Sequence, residues 1–447
     1  MPINRRQFVT ATTAGLLLPQ AIHAAAPKPT DRELSGKTIC GYQGWFNAKG
    51  DGYDLSFRHY QTNKGLFQPG HCTIDLWPDV RELTKDERFD TAFKHKDGSI
   101  AQVYSSAHPK TIARHFDWMQ AYGIDGVALQ RFGVNLRNKK ILGHHNTTIH
   151  HARQAAERTG RLWNVMYDLS GMKPGEPQQR IEADWKHLVE NEGVTDDPTY
   201  MQHNGKPLVA IWGVGFSGED RKYSLKDCAE LIDKVSMGGR YSVMLGIPYY
   251  WREQRRDASS EAGMHNVLRK AEVLSPWAVG RFGGIDDALQ CGKTYLEPDV
   301  AWCNKHGKLY LPVAFPGFSW QNLKKSHGES SKLGHIPRQG GRFLWAQAEA
   351  ARKAGAKSLY IAMFDEVDEA TAIFKCTNDP PVGQSKFLTY EGLPSDHYLW
   401  LTGKIAQRIR RGKAPPHRRD ARESRVDAGN APGNKRSVNP RVIHDGC

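Results

Sequence analysis

Two glutamates three residues apart, Glu366 and Glu369, lie in the acidic stretch Phe364-Asp365-Glu366-Val367-Asp368-Glu369. In an extended strand their side chains diverge to opposite faces, whereas a turn or a single helical loop makes them neighbours. Two adjacent carboxyl groups can divide acid–base work. One protonates a leaving oxygen while the other acts as base or nucleophile, the pair that cleavage of a glycosidic bond requires. The same spacing also suits an acidic helix N-terminus or a calcium loop, although a calcium loop usually supplies more oxygen ligands at regular intervals. The sequence has no G-x-S-x-G elbow, H-E-x-x-H pair or Walker loop. Esterase, zinc-protease and nucleotidase chemistry therefore has no motif to stand on.

The elements that must hold these carboxylates are visible as eight short apolar runs, at 38–46, 126–132, 162–168, 208–212, 242–248, 273–279, 309–315 and 358–364. Each has the length and continuous hydrophobicity of a strand buried on both faces, as parallel strands are. Helix-period segments lie between them, at 111–119 with Gly123 as a C-terminal cap, then at 179–191, 224–237 and 341–355, with a last one at 396–411. Strand and helix alternating eight times predicts a (β/α)₈ TIM barrel. An open doubly wound sheet would instead want a Gly-rich phosphate loop opening a helix after the first strand, and Gly41-Tyr42-Gln43-Gly44 is followed by no helix. A long insertion, 47–109, follows strand one and carries His59, Tyr60, Asp75, Trp77 and Asp79. In a barrel it falls on the catalytic face, as a structural flap or as a wall of the substrate cleft.

Barrel chemistry gathers at the C-terminal strand ends. Read in order, those ends and the insertion offer Tyr42, Trp45, His59, Arg131, Asp168, Tyr250, Trp251, Arg281, Trp320 and Asp365 as substrate contacts around Glu366 and Glu369. Aromatic rings, arginines and carboxylates on one rim suit a polyhydroxylated ring. Four histidines after strand two, His144, His145, His150 and His151, are spaced poorly for a metal and are expected on a solvated helix end. Gly340-Gly341 is expected to be a plain turn rather than an anion-binding nest.

The stretch Phe364-Asp365-Glu366-Val367-Asp368-Glu369-Ala370-Thr371-Ala372-Ile373 resembles the F-N-E-W-H-E-G-T-x-I segment that ends the barrel in glycoside hydrolase family 99, the endo-α-mannosidases, and the wider family 71/99-like group. Weaker likeness runs from Tyr42 to about Arg411, through His59-Tyr60, Tyr122-Gly123-Ile124-Asp125-Gly126 and Asn204-Gly205-Lys206-Pro207. The resemblance implies that Glu366 deprotonates the substrate's 2-hydroxyl to form a 1,2-anhydro sugar. It makes Glu369 the general acid and then the base that activates water, with retention of anomeric configuration. Val367-Asp368 stands where the family has Trp-His, and Ala370 where it has Gly, so mannose specificity does not carry over. Two other functions compete: a non-catalytic carbohydrate-binding barrel, and a metal-dependent hydrolase with Asp365, Glu366, Asp368 and Glu369 as ligands. The glycosidase itself needs no cofactor.

At 447 residues, with 39% hydrophobic and 10% aromatic residues, the chain can bury a large core. The net charge of +14 would suggest a nucleic-acid partner if it were spread over one face. Most of it is terminal instead: 404–447 holds 12 Lys/Arg against 4 Asp/Glu. No element interleaves basic and aromatic residues, so nucleic-acid binding is not expected. Arg5-Arg6 before Phe8, a short apolar stretch and Ala24-Ala25-Ala26 read as a twin-arginine export signal over 1–26. A barrel domain is expected over 27–413 and a disordered basic tail over 414–447. No apolar stretch is long enough to span a membrane, and a periplasmic or secreted location follows. The 7 cysteines are scattered without a C-x-x-C, which suits reduced thiols and leaves room for one bridge.

Overall fold

The expected parallel strands form and close on themselves. In this computed structural model they are β1 (Thr38–Tyr42), β2 (Gly126–Phe132), β3 (Leu162–Asp168), β4 (Lys206–Trp212), β5 (Ser242–Ile247), β6 (Val273–Pro276), a divided β7 (Leu309–Tyr310 and Val313–Ala314) and β8 (Leu359–Ile361). Residues 31–218 and 221–411 are described. The leader at 1–26 and the tail at 414–447 lie outside them. Consecutive strands pair in parallel from β1 to β6, and β8 pairs with β1. The divided β7 closes the ring. Leu309 and Leu311 donate to the carbonyls of Glu272 and Leu274 on the β6 side, each at 2.9 Å. Tyr360 and Ala362 of the β8 side donate to Pro312 and Ala314, again at 2.9 Å. The strand expected as one piece at 309–315 thus changes neighbours midway, at a proline that supplies only a carbonyl.

Strand polarity decides what faces the barrel axis, since successive side chains alternate. Gly41 points inward, where a Cβ would come within 2.2 Å of the Tyr360 hydroxyl and of Met363. Only glycine permits that approach. Gln130 also points inward, its amide 3.4 Å from the Tyr360 hydroxyl. Tyr42 and Arg131, one residue on in each strand, therefore face the helix layer. Helix Pro109–Tyr122 ends at Gly123 with φ +76°, as expected. Helix Leu225–Ser236 opens on Ser224, whose hydroxyl accepts the Asp227 N–H in a capping box.

The histidines depart from expectation. Helix Lys139–Thr159 is capped by the Asn138 side chain, so all four lie well inside it rather than at its end. His144 and His145 belong to its buried face. The insertion is largely a flap with its own core: Phe67 packs on Trp77 and Phe93, and Trp77 donates to the Gln102 carbonyl at 3.0 Å. Bridges Leu76–Leu388 and Pro78–Cys376 tie it to the chain beyond β8. The six described cysteines are free thiols. Among the described residues no helix is long and apolar enough to cross a membrane.

Candidate active site

Beyond β8 the chain leaves the ladder and folds back on itself. Phe364 donates to the Gly41 carbonyl at 2.7 Å, Phe374 to Phe364 at 2.9 Å, and Ala372 to Glu366 at 2.9 Å. The loop 365–371 so formed is pinned from outside. The buried Arg338 guanidinium, stacked over Tyr398, donates to the carbonyls of Ala370 at 2.9 Å and Ala372 at 2.6 Å. Ser319 donates its N–H to the Glu369 carbonyl at 2.9 Å. Ala370 takes φ +50°, the left-handed region where the resembled motif has glycine. These constraints turn a three-residue spacing into a cluster, with Glu366, Asp368 and Glu369 all nearly enclosed at 5%, 5% and 8% exposure.

The cluster cannot ionise fully. Burial first, then the charges of Glu369 and Asp368, push the Glu366 carboxyl well above the usual carboxylate range. Burial and Glu369 do the same to Asp368. Three like charges in a dry loop retain protons near neutrality, and those protons belong to the group rather than to one residue. Both oxygens of Glu366 accept, one from Gln43 Nε2 at 2.6 Å and the other from Thr371 Oγ1 at 2.6 Å. These two hydrogen bonds favour the anion, but by less than burial and the neighbouring charges oppose it. One carboxylate and one carboxylic acid side by side can take a proton and give one.

A wall of rings stands beside this loop. His59 stacks on Trp45 with centroids 3.8 Å apart, and Phe132 covers Trp45 at 5.0 Å. His59 Nδ1 lies 3.8 Å from Asp368 Oδ2. Its backbone takes φ +66°, an uncommon conformation for a non-glycine residue. Gln43 Oε1, Trp45 Nε1, His59 Nε2 and Asp368 Oδ1 are buried without hydrogen-bond partners. Such atoms are expensive in a core and useful beside a ligand rich in hydroxyl groups. Asp168 accepts the Ser170 N–H at 2.7 Å. Burial first, then the charges of Cys40, Glu366 and Asp168, raise the Tyr360 hydroxyl.

The other expected contacts are committed elsewhere. Tyr42 is fully buried, its hydroxyl 2.8 Å from His115 Nδ1 and its ring stacked on Phe364. Arg131 meets Asp184 of helix Glu182–Glu190 with two hydrogen bonds, Nε at 2.6 Å and Nη2 at 2.5 Å, behind the strand rather than on the rim. Trp251 is enclosed and donates to Asp299 at 3.1 Å. The Tyr250 hydroxyl accepts from Arg256 at 2.7 Å. Arg281 pairs with Asp257 at 2.7 Å, and Asp257 also takes the N–H groups of Tyr249 and Tyr250. Trp320 packs on Phe318 under Lys324. Asp365 faces the end of β1, accepting the N–H groups of Gln43 at 2.7 Å and Gly44 at 2.9 Å, and burial lifts its carboxyl to about 6. It positions Gln43, which in turn holds Glu366. Gln43, Thr371 and Asp368 surround the pair; Gln43 and Thr371 were absent from the expected set, and Asp368 was expected only as a metal ligand in the competing reading. Among the described residues no group of three or more His, Cys, Asp or Glu side chains is arranged to hold a metal ion.

No protein-family model and no curated protein matches the sequence. The fold is similar to that of the GH99 endo-α-mannosidase from Bacteroides thetaiotaomicron, with 16% identity and a TM-score of 0.60 over 85% of this chain and 99% of that one. A structure of that GH99 endo-α-mannosidase in complex with bis-tris-propane gives 17% identity and a TM-score of 0.59, over 85% and 98% of the two chains. At such identity the likeness is one of fold, and the chain has a barrel fold similar to that of the GH99 endo-α-mannosidase.

Proposed function

We propose that the protein is an exported glycoside hydrolase that cleaves an oligo- or polysaccharide with retention of configuration. The observation that carries this reading is the enclosed Glu366–Asp368–Glu369 cluster on the β8 loop, with both oxygens of Glu366 held by Gln43 and Thr371. In the first step Glu369 gives its proton to the glycosidic oxygen as the C1–O bond breaks. Glu366 takes the 2-hydroxyl proton, and that oxygen closes on C1 as a 1,2-anhydro sugar. In the second step Glu369 takes a proton from water, whose oxygen opens the ring at C1, and Glu366 returns its proton to O2. Both inversions together give retention. Trp45 and His59 line the sugar, and no cofactor enters. The barrel shared with a GH99 endo-α-mannosidase supports the reaction class, while Val367-Asp368 separates the sugar specificity from mannose.

The test is a screen of aryl glycosides and polysaccharides, with the first-formed anomer followed by NMR. Cleavage with retained anomer, insensitive to chelator, is expected. Saccharide binding without bond cleavage would favour a binding protein, and activity abolished by chelator a metal-dependent hydrolase.

Asp368 should tune the pH profile. Its repulsion with Glu369 is reciprocal and favours the protonated acid. Asp368→Asn removes that charge, so the acid loses its proton at lower pH. The alkaline limb of kcat/KM is expected to move down by about one pH unit. A limb that stays or rises would remove Asp368 from the proton-sharing group.

Export is proposed on Arg5-Arg6 and the apolar stretch after them. The double variant Arg5→Lys, Arg6→Lys is expected to leave the precursor in the cytoplasm, since the twin-arginine receptor reads the guanidinium pair. Mature protein recovered outside the cytoplasm at the normal level would reject the twin-arginine route.

A further inference from the structure

Behind the Trp45–His59 wall lies a group of basic side chains, Arg58, His144 and His145. Arg58 is half-buried. Among the described residues no carboxylate pairs with it, and the one side-chain hydrogen bond its guanidinium makes runs from Nη2 to Asn135 Oδ1 at 3.3 Å. Its Nη1 is buried with no partner. Asn135 turns its amide nitrogen toward His145 Nε2 at 3.2 Å. His144 stands edge-on to His145 at 5.7 Å and to Tyr53 at 5.2 Å. It is fully enclosed, and neither of its ring nitrogens has a partner. His59 Nε2 is likewise buried and unpartnered, while Nδ1 of the same ring faces Asp368.

Two acids of the same segment, Asp51 and Asp54, are already engaged. Asp51 accepts from Asn47 Nδ2 at 2.9 Å, from Ser105 Oγ at 2.8 Å and from the N–H groups of Ala48 and Tyr53. Asp54 pairs with Lys140. The basic groups therefore press on one another. Burial and the Arg58 charge hold His144 down at about 4 despite Asp51, and burial brings Arg58 down to about 10. Proteins seldom enclose a guanidinium without a counter-charge, and donors left unpaired in a protein interior are rare. A bound anion would satisfy Arg58 Nη1 and the imidazole N–H groups together.

We propose that the saccharide bound at Glu366 and Glu369 carries an anionic group, a carboxylate or a sulfate ester, and that Arg58, His144, His145 and His59 receive it. The proposal deepens the hydrolase reading and rests on it for the substrate class. His59 joins the two regions, since one edge of its ring meets Asp368 and the other belongs to the basic group. The recognised anion thus sits one side chain away from the carboxylate cluster, within reach of a substituent on the cleaved sugar or its neighbour.

The experiment measures binding rather than turnover, on the full-length chain. Inorganic sulfate is titrated while the imidazole resonances of His144 and His145 are followed by NMR. Methyl glucuronide, methyl glucoside 6-sulfate and methyl glucoside are then compared by calorimetry. Saturable sulfate shifts are expected, together with at least tenfold tighter binding of one anionic glycoside than of the neutral one. The preferred glycoside separates a carboxylate from a sulfate ester. Arg58→Gln is expected to abolish the preference and Arg58→Lys to restore part of it. Should Arg58→Gln fail to fold, the wild-type comparison decides, and equal binding of charged and neutral glycosides overturns the inference. Sulfate shifts that do not saturate, or that persist unchanged in folded Arg58→Gln, also overturn it. Arg58-dependent anion binding in a protein that cleaves no glycoside would retain this inference and reject the hydrolase. Cleavage of neutral glycosides without any anion preference would do the reverse.

Discussion

Glu369→Gln is expected to lower kcat/KM on glycosides with poor leaving groups by roughly 10²-fold or more, the scale of lost general acid catalysis. Glutamine keeps the shape and hydrogen-bonding capacity of the side chain and removes the transferable proton. Folding should be unchanged, because glutamine is isosteric with glutamate and the backbone carbonyl still accepts from Ser319. An activated aryl leaving group needs little protonation, so its departure should suffer far less than that of a sugar. Steady-state kinetics on a series of aryl glycosides of graded leaving-group pKa measures this directly. A loss independent of leaving group would mean that Glu369 is not the acid, and full activity on every substrate would place the site elsewhere.

Glu366→Gln is expected to lose on the order of 10³-fold, about 4 kcal/mol of transition-state stabilisation, with no dependence on leaving group. Gln43 and Thr371 both donate to the carboxylate. An amide at 366 can satisfy only one of them as acceptor, although the Thr371 hydroxyl can turn to accept in its place. The variant should therefore fold and stay inert. If Glu366 works through the 2-hydroxyl, wild-type enzyme should not turn over a 2-deoxy or 2-fluoro substrate. A nucleophilic Glu366 would instead trap the 2-fluoro sugar covalently. Intact-protein mass spectrometry distinguishes these results: a stable glycosyl adduct on Glu366 discards the anhydro-sugar route while keeping the hydrolase.

Several features were readable in the sequence because they depend on local pattern. Eight apolar runs separated by helix-period segments imply parallel strands with covered faces, and the barrel follows from their number. The caps at Gly123 and Ser224 are local hydrogen-bonding and dihedral requirements, and each ends or begins its helix where expected. The burial of His144 and His145 was also written in the chain. With Thr148, Ile149, Ala152, Ala155 and Ala156 they make one apolar stripe at helical spacing. Placing the helix start too late conceals that stripe, and Asn138 is the cap that corrects it.

The rim residues show where local pattern stops. A residue at a strand end can face the axis or the helix layer, and one position of parity exchanges them. Thus Gln130 enters the barrel while Arg131 leaves it for Asp184, and Gly41 enters while Tyr42 turns to His115. Nothing in the sequence reveals that Asp365 spends its carboxylate on the backbone of Gln43 and Gly44, or that Trp251 serves Asp299. The sequence by itself determined the strands, their order and the acidic motif, because hydrophobic periodicity and turn chemistry act over a few neighbouring residues. Tertiary structure alone decided what holds Glu366, since Gln43 and Thr371 reach it only after β1 and the β8 loop have been brought together. It also decided that Arg58, distant in sequence from His144 and His145, lies close enough for its charge to lower both imidazoles, because desolvation and charge act through space.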